Sequence, residues 1–161
     1  MLNDTSAIEI VEHIDYDFSM LDKKLPFESN VVLVARAKQF DDKIRASITK
    51  YPHASVINLG ADLDTTFYHI DNGLVRWYGL DLLQSLNCEK KLIPETDRAW
   101  RIAKSLLDLS WCKDIENVEN GVLMISCGVL AFFEESQVKQ LFSSLANNLP
   151  DVKLYLMPHQ S

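Results

Sequence analysis

The clearest pattern of apolar positions is the run Ser55 to Leu59 (SVINL), short, rich in β-branched residues and bounded by Pro52 and Gly60. Such a run reads as a buried strand rather than a helix. Gly60-Ala61-Asp62-Leu63-Asp64 then makes a turn, and Thr65-Thr66-Phe67-Tyr68 opens a helix that Asp64 or Thr65 caps. Four further strands are expected at Leu74 to Tyr78, Trp100 to Ser105, Val122 to Ser126 and Val152 to Met157. The uninterrupted VLMIS of the fourth is the pattern of a strand covered on both faces.

Helical spacing appears between the strands. Asp4 to Ile14 places Ile8, Ile10, Val11 and Ile14 along one side, and Asp15 to Pro26 reads as a loop. From Ser29 to Lys50 the residues Leu33, Ala37, Phe40, Ile44 and Ile48 form a stripe, with Ser29 or Asn30 as cap. Leu82 to Ile93 is a further helix stopped by Pro94, and Glu134 to Asn148 is amphipathic through Val138, Leu141, Phe142 and Leu145. Strands alternating with helices predict a parallel sheet covered on both faces. No repeat or linker divides the chain, so one domain over 1–161 is expected, with N-terminal helices at 4–50 and a βαβ core at 55–157.

Composition narrows the partners. A net charge of -7 and a pI near 5.0 argue against nucleic acid or an anionic membrane. No apolar run approaches the ~20 residues of a membrane span, and the N-terminus lacks a signal-peptide pattern. Cys88, Cys112 and Cys127 are odd in number and far apart, which points to thiols in the cytoplasm. The four histidines show no metal-ligand spacing, so no metal is expected, and no Gly-x-Ser-x-Gly elbow supports a hydrolase.

In an open parallel sheet, ligands bind beyond the carboxyl ends of the strands. That position selects Gly60 to Asp64, Asp81, Asp108 and Cys127-Gly128. Asp81 lies about 20 residues past the glycine turn, where an acid can accept hydrogen bonds from ribose hydroxyls. It can equally cap the next helix. The turn lacks the later glycines of G-x-G-x-x-G and puts two carboxylates where phosphates would sit. At ~5 Å and an effective dielectric near 20, each carboxylate–phosphate pair costs about 3 kcal/mol, which disfavours a dinucleotide. S-adenosylmethionine has no phosphate and carries a sulfonium and an ammonium, so acidic turns suit it.

The segments ARAKQFDDKI, INLGADLDTTFYHI, VRWYGLDLLQSL, AKSLLDLSW and VLMISCGVLAFFEESQVKQLFSSLANNLP, in that order and spacing, resemble the leucine carboxyl methyltransferase family. Those are class I S-adenosylmethionine-dependent methyltransferases, and the likeness is to the bacterial polyketide-type O-methyltransferase branch. It runs from about Ile8 to Val152. The resemblance implies a Rossmann-like α/β fold, mostly parallel, with S-adenosylmethionine as cofactor. It implies methylation of a carboxylate or hydroxyl on a small molecule or a protein C-terminus, the acceptor being unknown. Arg36 would hold the cofactor's carboxylate, Gly60 the close approach of the backbone, and Asp81 the ribose. Asp108 with Leu109 would receive the adenine.

Several positions depart from that family. Asp62 stands where a second glycine is usual and Thr66 where an arginine is usual; Cys127 and Phe132 also depart. At Asp62 three roles compete: a salt bridge to the cofactor's ammonium, repulsion of its carboxylate, or capture of Arg36. The family fold has seven strands, whereas five are expected here, so a fragment or a shortened relative is implied. The apolar edge 152–157 would then pair with another copy or be covered by the chain itself. A non-catalytic binding or oligomerisation module is the competing reading.

Overall fold

A computed structural model describes residues 4–18, 27–84, 92–149 and 151–157. The strands are β1 (Ser55–Leu59), β2 (Arg76–Asp81), β3 (Ala99–Ala103), β4 (Val122–Cys127) and β5 (Lys153–Met157). They form one sheet in the order β3-β2-β1-β4-β5, and every pairing is parallel. The order reverses direction at β1, so the chain beyond β1 crosses to one side and later returns to the other. The carboxyl end of β1 is therefore a topological switch point, where a crevice opens between diverging connections.

The helices are α1 (Thr5–His13), α2 (Phe27–Lys50), α3 (Thr66–Ile70) and α4 (Glu135–Asn148). Ile57, Leu59, Tyr78, Leu80 and Met124 pack on one sheet face against Leu141, Leu145 and Leu149 and the wholly buried Trp111. Val56, Trp77, Leu123 and Ile125 pack on the other face against Ile44 and Ile48 of α2 and Phe67 and Ile70 of α3. With both faces covered, β1 is buried at all five positions, which is why it reads as unbroken hydrophobicity.

Differences from the expected elements have local causes. β2 begins two residues later than predicted and runs on through Gly79 to Asp81. Gly79 reads as turn punctuation, yet it pairs in register with Asn58 on one side and Arg101 on the other. α2 starts at Phe27, so Ser29 and Asn30 are inside it rather than capping it. At 24 residues it is about 36 Å long, roughly twice the length of the strands it crosses. Its C-terminal half docks through Ile44 and Ile48, whereas Leu33 remains 44% exposed beside exposed Val31, Val32 and Val34. In α1 the buried residue is Ile10, with Ile8 and Val11 exposed. Of the helix expected from Leu82 to Ile93, Leu83 and Gln84 are helical while Leu92 and Ile93 lie in a turn and a bend; 85–91 falls outside the described residues, as does most of the predicted loop 15–26.

Polar contacts tie the N-terminal helices to the switch point. Asp4 caps α1 by accepting from the Ala7 N–H at 2.9 Å, while its second oxygen accepts from the Thr65 hydroxyl at 2.5 Å. The same oxygen lies 3.5 Å from His69 Nδ1, and His69 Nε2 meets Asp41 Oδ2 at 2.8 Å. One histidine thus joins α1, α2 and α3. At the outer side of β5 no described strand is paired, and Leu156 is 48% exposed.

Candidate functional site

The turn after β1 is shaped by two left-handed residues. Gly60 has φ +70, and a Cβ there would stand 2.5 Å from Val129 Cβ, so both its conformation and its lack of a side chain are used. The N–H groups of Gly60 and Ala61 both donate to the Leu80 carbonyl, at 2.9 and 3.2 Å. This closes the turn against the end of β2. Asp62 follows with φ +42. A left-handed backbone is uncommon for a side-chain-bearing residue, though aspartate tolerates it better than most.

Asp81 closes the site from β2. Its Oδ2 accepts from the Asp62 N–H at 2.9 Å and its Oδ1 from the Leu82 N–H at 2.7 Å. The carboxylate therefore bridges two turns rather than serving as a simple helix cap. Each carboxylate oxygen has two lone pairs, so each keeps one acceptor position beyond the bond it makes here. The Asp62 side chain is exposed beside it.

Of the two carboxylates predicted to face a ligand, Asp64 does not. It turns into the domain, where Oδ2 accepts from Asn58 Nδ2 at 2.7 Å and Oδ1 from the Thr66 hydroxyl at 2.6 Å. Burial pushes its pKa up, against the downward pull of Thr66, Arg101 and His69. Thr65 stands at the N-cap of α3 without a side-chain bond, and Asp64 accepts weakly from the Thr66 N–H at 3.3 Å in its place. The signal for this was Asn58, a buried polar residue in an apolar strand that needs a partner.

The remaining predicted residues surround the turn at varying distance. Arg36 is partly buried on α2 and its charge reaches the Cys127 thiol at the end of β4, opposing the upward push of burial and Asp64 on that thiol. Asp108 lies beyond β3, exposed, where its carboxylate accepts from the Ser110 N–H at 3.1 Å. The Ser110 hydrogen bonds hold its pKa down. Leu109 opens the 3-10 turn Leu109–Asp114 and packs against the core. Asp62 and Asp81 are thus joined directly and Gly60 is tied to the neighbouring Leu80, Arg36 acts on Cys127 at the end of β4, and Asp108 makes its described hydrogen bond within its own turn.

Arg101 was not anticipated. It extends from β3 across Gly79 and its Nη1 donates to the Asp62 carbonyl at 3.3 Å. The signal that could have found it was Gly79 itself, since glycine within a strand marks a close approach by another group. Among the described residues no group of His, Cys, Asp and Glu is arranged to hold a metal ion. No described helix is long and apolar enough to cross a membrane. A cavity of about 570 Å³ opens at the opposite, amino end of the sheet, beside Tyr51, Gly121 and Lys153. It is remote from every residue of the turn.

No family model matches the chain. A curated relative, the tetracenomycin polyketide synthesis O-methyltransferase TcmP of Streptomyces glaucescens, is 23% identical over 151 residues, covering 93% of this chain and 55% of that protein. The chain thus spans little more than half the length of that relative. The magnesium protoporphyrin IX methyltransferase ChlM of Synechocystis PCC 6803, solved with bound S-adenosylmethionine, matches all of this chain and 82% of its own at a TM-score of 0.55 and 15% identity. The same enzyme with S-adenosylhomocysteine matches 95% of this chain and 67% of its own at 0.55 and 16%. The all-parallel sheet, its strand order and these likenesses give the chain the Rossmann-like fold of class I S-adenosylmethionine-dependent methyltransferases.

Proposed function

We propose that the chain binds S-adenosylmethionine across the carboxyl ends of β1 and β2 and serves methyl transfer to an oxygen nucleophile. The observation that carries this reading is the Gly60–Asp62 turn clasped by Asp81, with an exposed carboxylate at Asp62. A pyrophosphate would meet negative charge there, whereas an ammonium or sulfonium is attracted. The free acceptor positions on Asp81 suit a pair of ribose hydroxyls. Asp108 and Leu109 would take the adenine, and Arg36 the cofactor's carboxylate, as its planar guanidinium allows. The O-methyltransferase activity named for the curated relative supports the same choice of acceptor atom.

The cofactor supplies an activated methyl group, so the work left to the chain is alignment. For a carboxylate acceptor no general base is needed, and positioning the oxygen in line with the methyl carbon–sulfur bond supplies the acceleration. The acceptor belongs to a small molecule or a protein C-terminus. The thiols of Cys112 and Cys127 suit a reducing compartment such as the cytoplasm. The outer side of β5, with Leu156 exposed, suits pairing with a second copy; sedimentation giving a monomer would reject that arrangement.

Calorimetric titration with S-adenosylhomocysteine tests the binding. The expected result is binding that weakens about tenfold in Asp81→Asn, since the amide offers one acceptor oxygen where the carboxylate offers two. No heat at millimolar ligand would reject the cofactor reading and favour a non-catalytic module, a reading that the strained Asp62 backbone also supports.

A further inference from the structure

The Asp62 peptide is gripped from both sides. Its N–H donates to Asp81 and its carbonyl accepts from Arg101, so charged side chains from β2 and β3 hold the two polar groups of one left-handed residue. Arg101 stands two strands away from β1 in the sheet. It reaches the turn because its register partner is Gly79: a Cβ at that position would lie 2.9 Å from Arg101 Nη1, 3.0 Å from its Cδ and 3.1 Å from Ala61 Cβ. The side chain therefore lies flat over β2 in the space glycine leaves. Its own main chain is fixed by the Arg101 N–H donating to Glu95 Oε1 at 2.8 Å.

We propose that Arg101 is a positioning residue that stands in for the glycine missing from the turn, keeping Asp62 left-handed and hence Asp81 aligned for the ligand. The inference rests on the cofactor reading of this site. Arg101 acts through the Asp62 peptide, and Gly79, Arg101 and Asp62 form one unit. A glycine in place of Asp62 adopts the left-handed conformation without help. The need for Arg101 is therefore specific to a side-chain-bearing residue at that position, and this separates positioning from a general structural role or from simple charge balance with Asp64.

A double-mutant cycle tests it, using the full chain as parent, Arg101→Met, Asp62→Gly and the double variant. Two readouts are taken: S-adenosylhomocysteine affinity by calorimetry, and hydrogen exchange of the amide at position 62 by NMR. With Asp62 present, Arg101→Met is expected to weaken binding about tenfold and speed that exchange by a similar factor. In the Asp62→Gly background the same change is expected to alter either by less than about twofold. Arg101→Lys, which keeps a donor, should restore part of the protection. Equal losses in both backgrounds would overturn the proposal. If the parent binds no S-adenosylhomocysteine, the cofactor reading fails by itself and the exchange data decide: unchanged exchange at position 62 in Arg101→Met overturns the positioning role. Should Arg101→Met fail to fold, Gly79→Ala displaces the same side chain with its charge intact, and unchanged exchange at position 62 in that variant counts equally against it.

Discussion

Gly60→Ala isolates the two demands that the turn makes on its first residue. The backbone at φ +70 costs an L-residue ~1–2 kcal/mol. The new Cβ would also stand 2.5 Å from Val129 Cβ, 2.6 Å from Cγ2 and 3.0 Å from Cγ1, and none of these is the far end of a flexible chain. Overpacking of that kind adds ~1–3 kcal/mol. Together they make roughly 3 kcal/mol, which lowers Tm by about 6–12 °C in a domain of this size. Gly73→Ala is the internal control. Its φ is +79, but nothing lies within 4 Å of the added Cβ, so it bears the backbone cost alone. Urea denaturation of both variants beside the parent gives the comparison. Gly60→Ala is expected to be the less stable by at least ~1 kcal/mol. Equal destabilisation of the two, or a Gly60→Ala variant within about 0.5 kcal/mol of the parent, would refute the close approach of Val129 to the turn.

Two carboxylates give pH dependences of opposite sign. Burial pushes Asp71 up, but the paired hydrogen bonds from Arg98, the Gly73 N–H and the Arg98 charge outweigh it, leaving its pKa below the ordinary value. The stability it contributes is complete above the ordinary carboxylate pKa near ~4 and is lost as pH falls through its lowered value. Asp71→Asn should therefore cost about 1–2 kcal/mol at neutral pH, the ion pair being partly exposed, and should flatten the acid limb of a stability profile. An unchanged acid limb would count against the pair. Asp64 runs the other way, because burial raises its pKa in the folded chain. Stability is expected to fall as pH rises from the ordinary carboxylate range through the raised value, and urea midpoints of Asp64→Asn should lack that decline. A decline of the same size in Asp64→Asn would show that Asp64 is not its source.

The strands were legible where burial on both faces writes itself as unbroken apolar sequence: β1 over Ser55–Leu59 matches its expected bounds, and β4 over Val122–Cys127 extends them by one residue. Gly79 carried a signal open to two readings, because a glycine that makes room for a crossing side chain looks the same in sequence as one that ends a strand. Which way Asp64 faces depended on Asn58, six residues earlier and on the other side of the turn. The reach of Arg101 depended on a register between β2 and β3 that no local pattern encodes. Gly60, Asp62 and Asp81 were picked out because the carboxyl ends of parallel strands follow from topology alone. Asp62 has the left-handed backbone that glycine favours, with its N–H donating to Asp81 and its carbonyl accepting from Arg101, contacts that no local sequence pattern announces.

Backbone NMR of the labelled chain during titration with S-adenosylhomocysteine locates the cofactor relative to the Gly60–Asp62 turn and Asp81. Saturating shifts are expected at Gly60, Ala61, Asp62, Asp81 and Leu82, the residues joined by the hydrogen bonds of the turn. Saturating shifts confined instead to Tyr51, Gly121 and Lys153, around the cavity at the amino end of the sheet, would contradict a cofactor site on the turn.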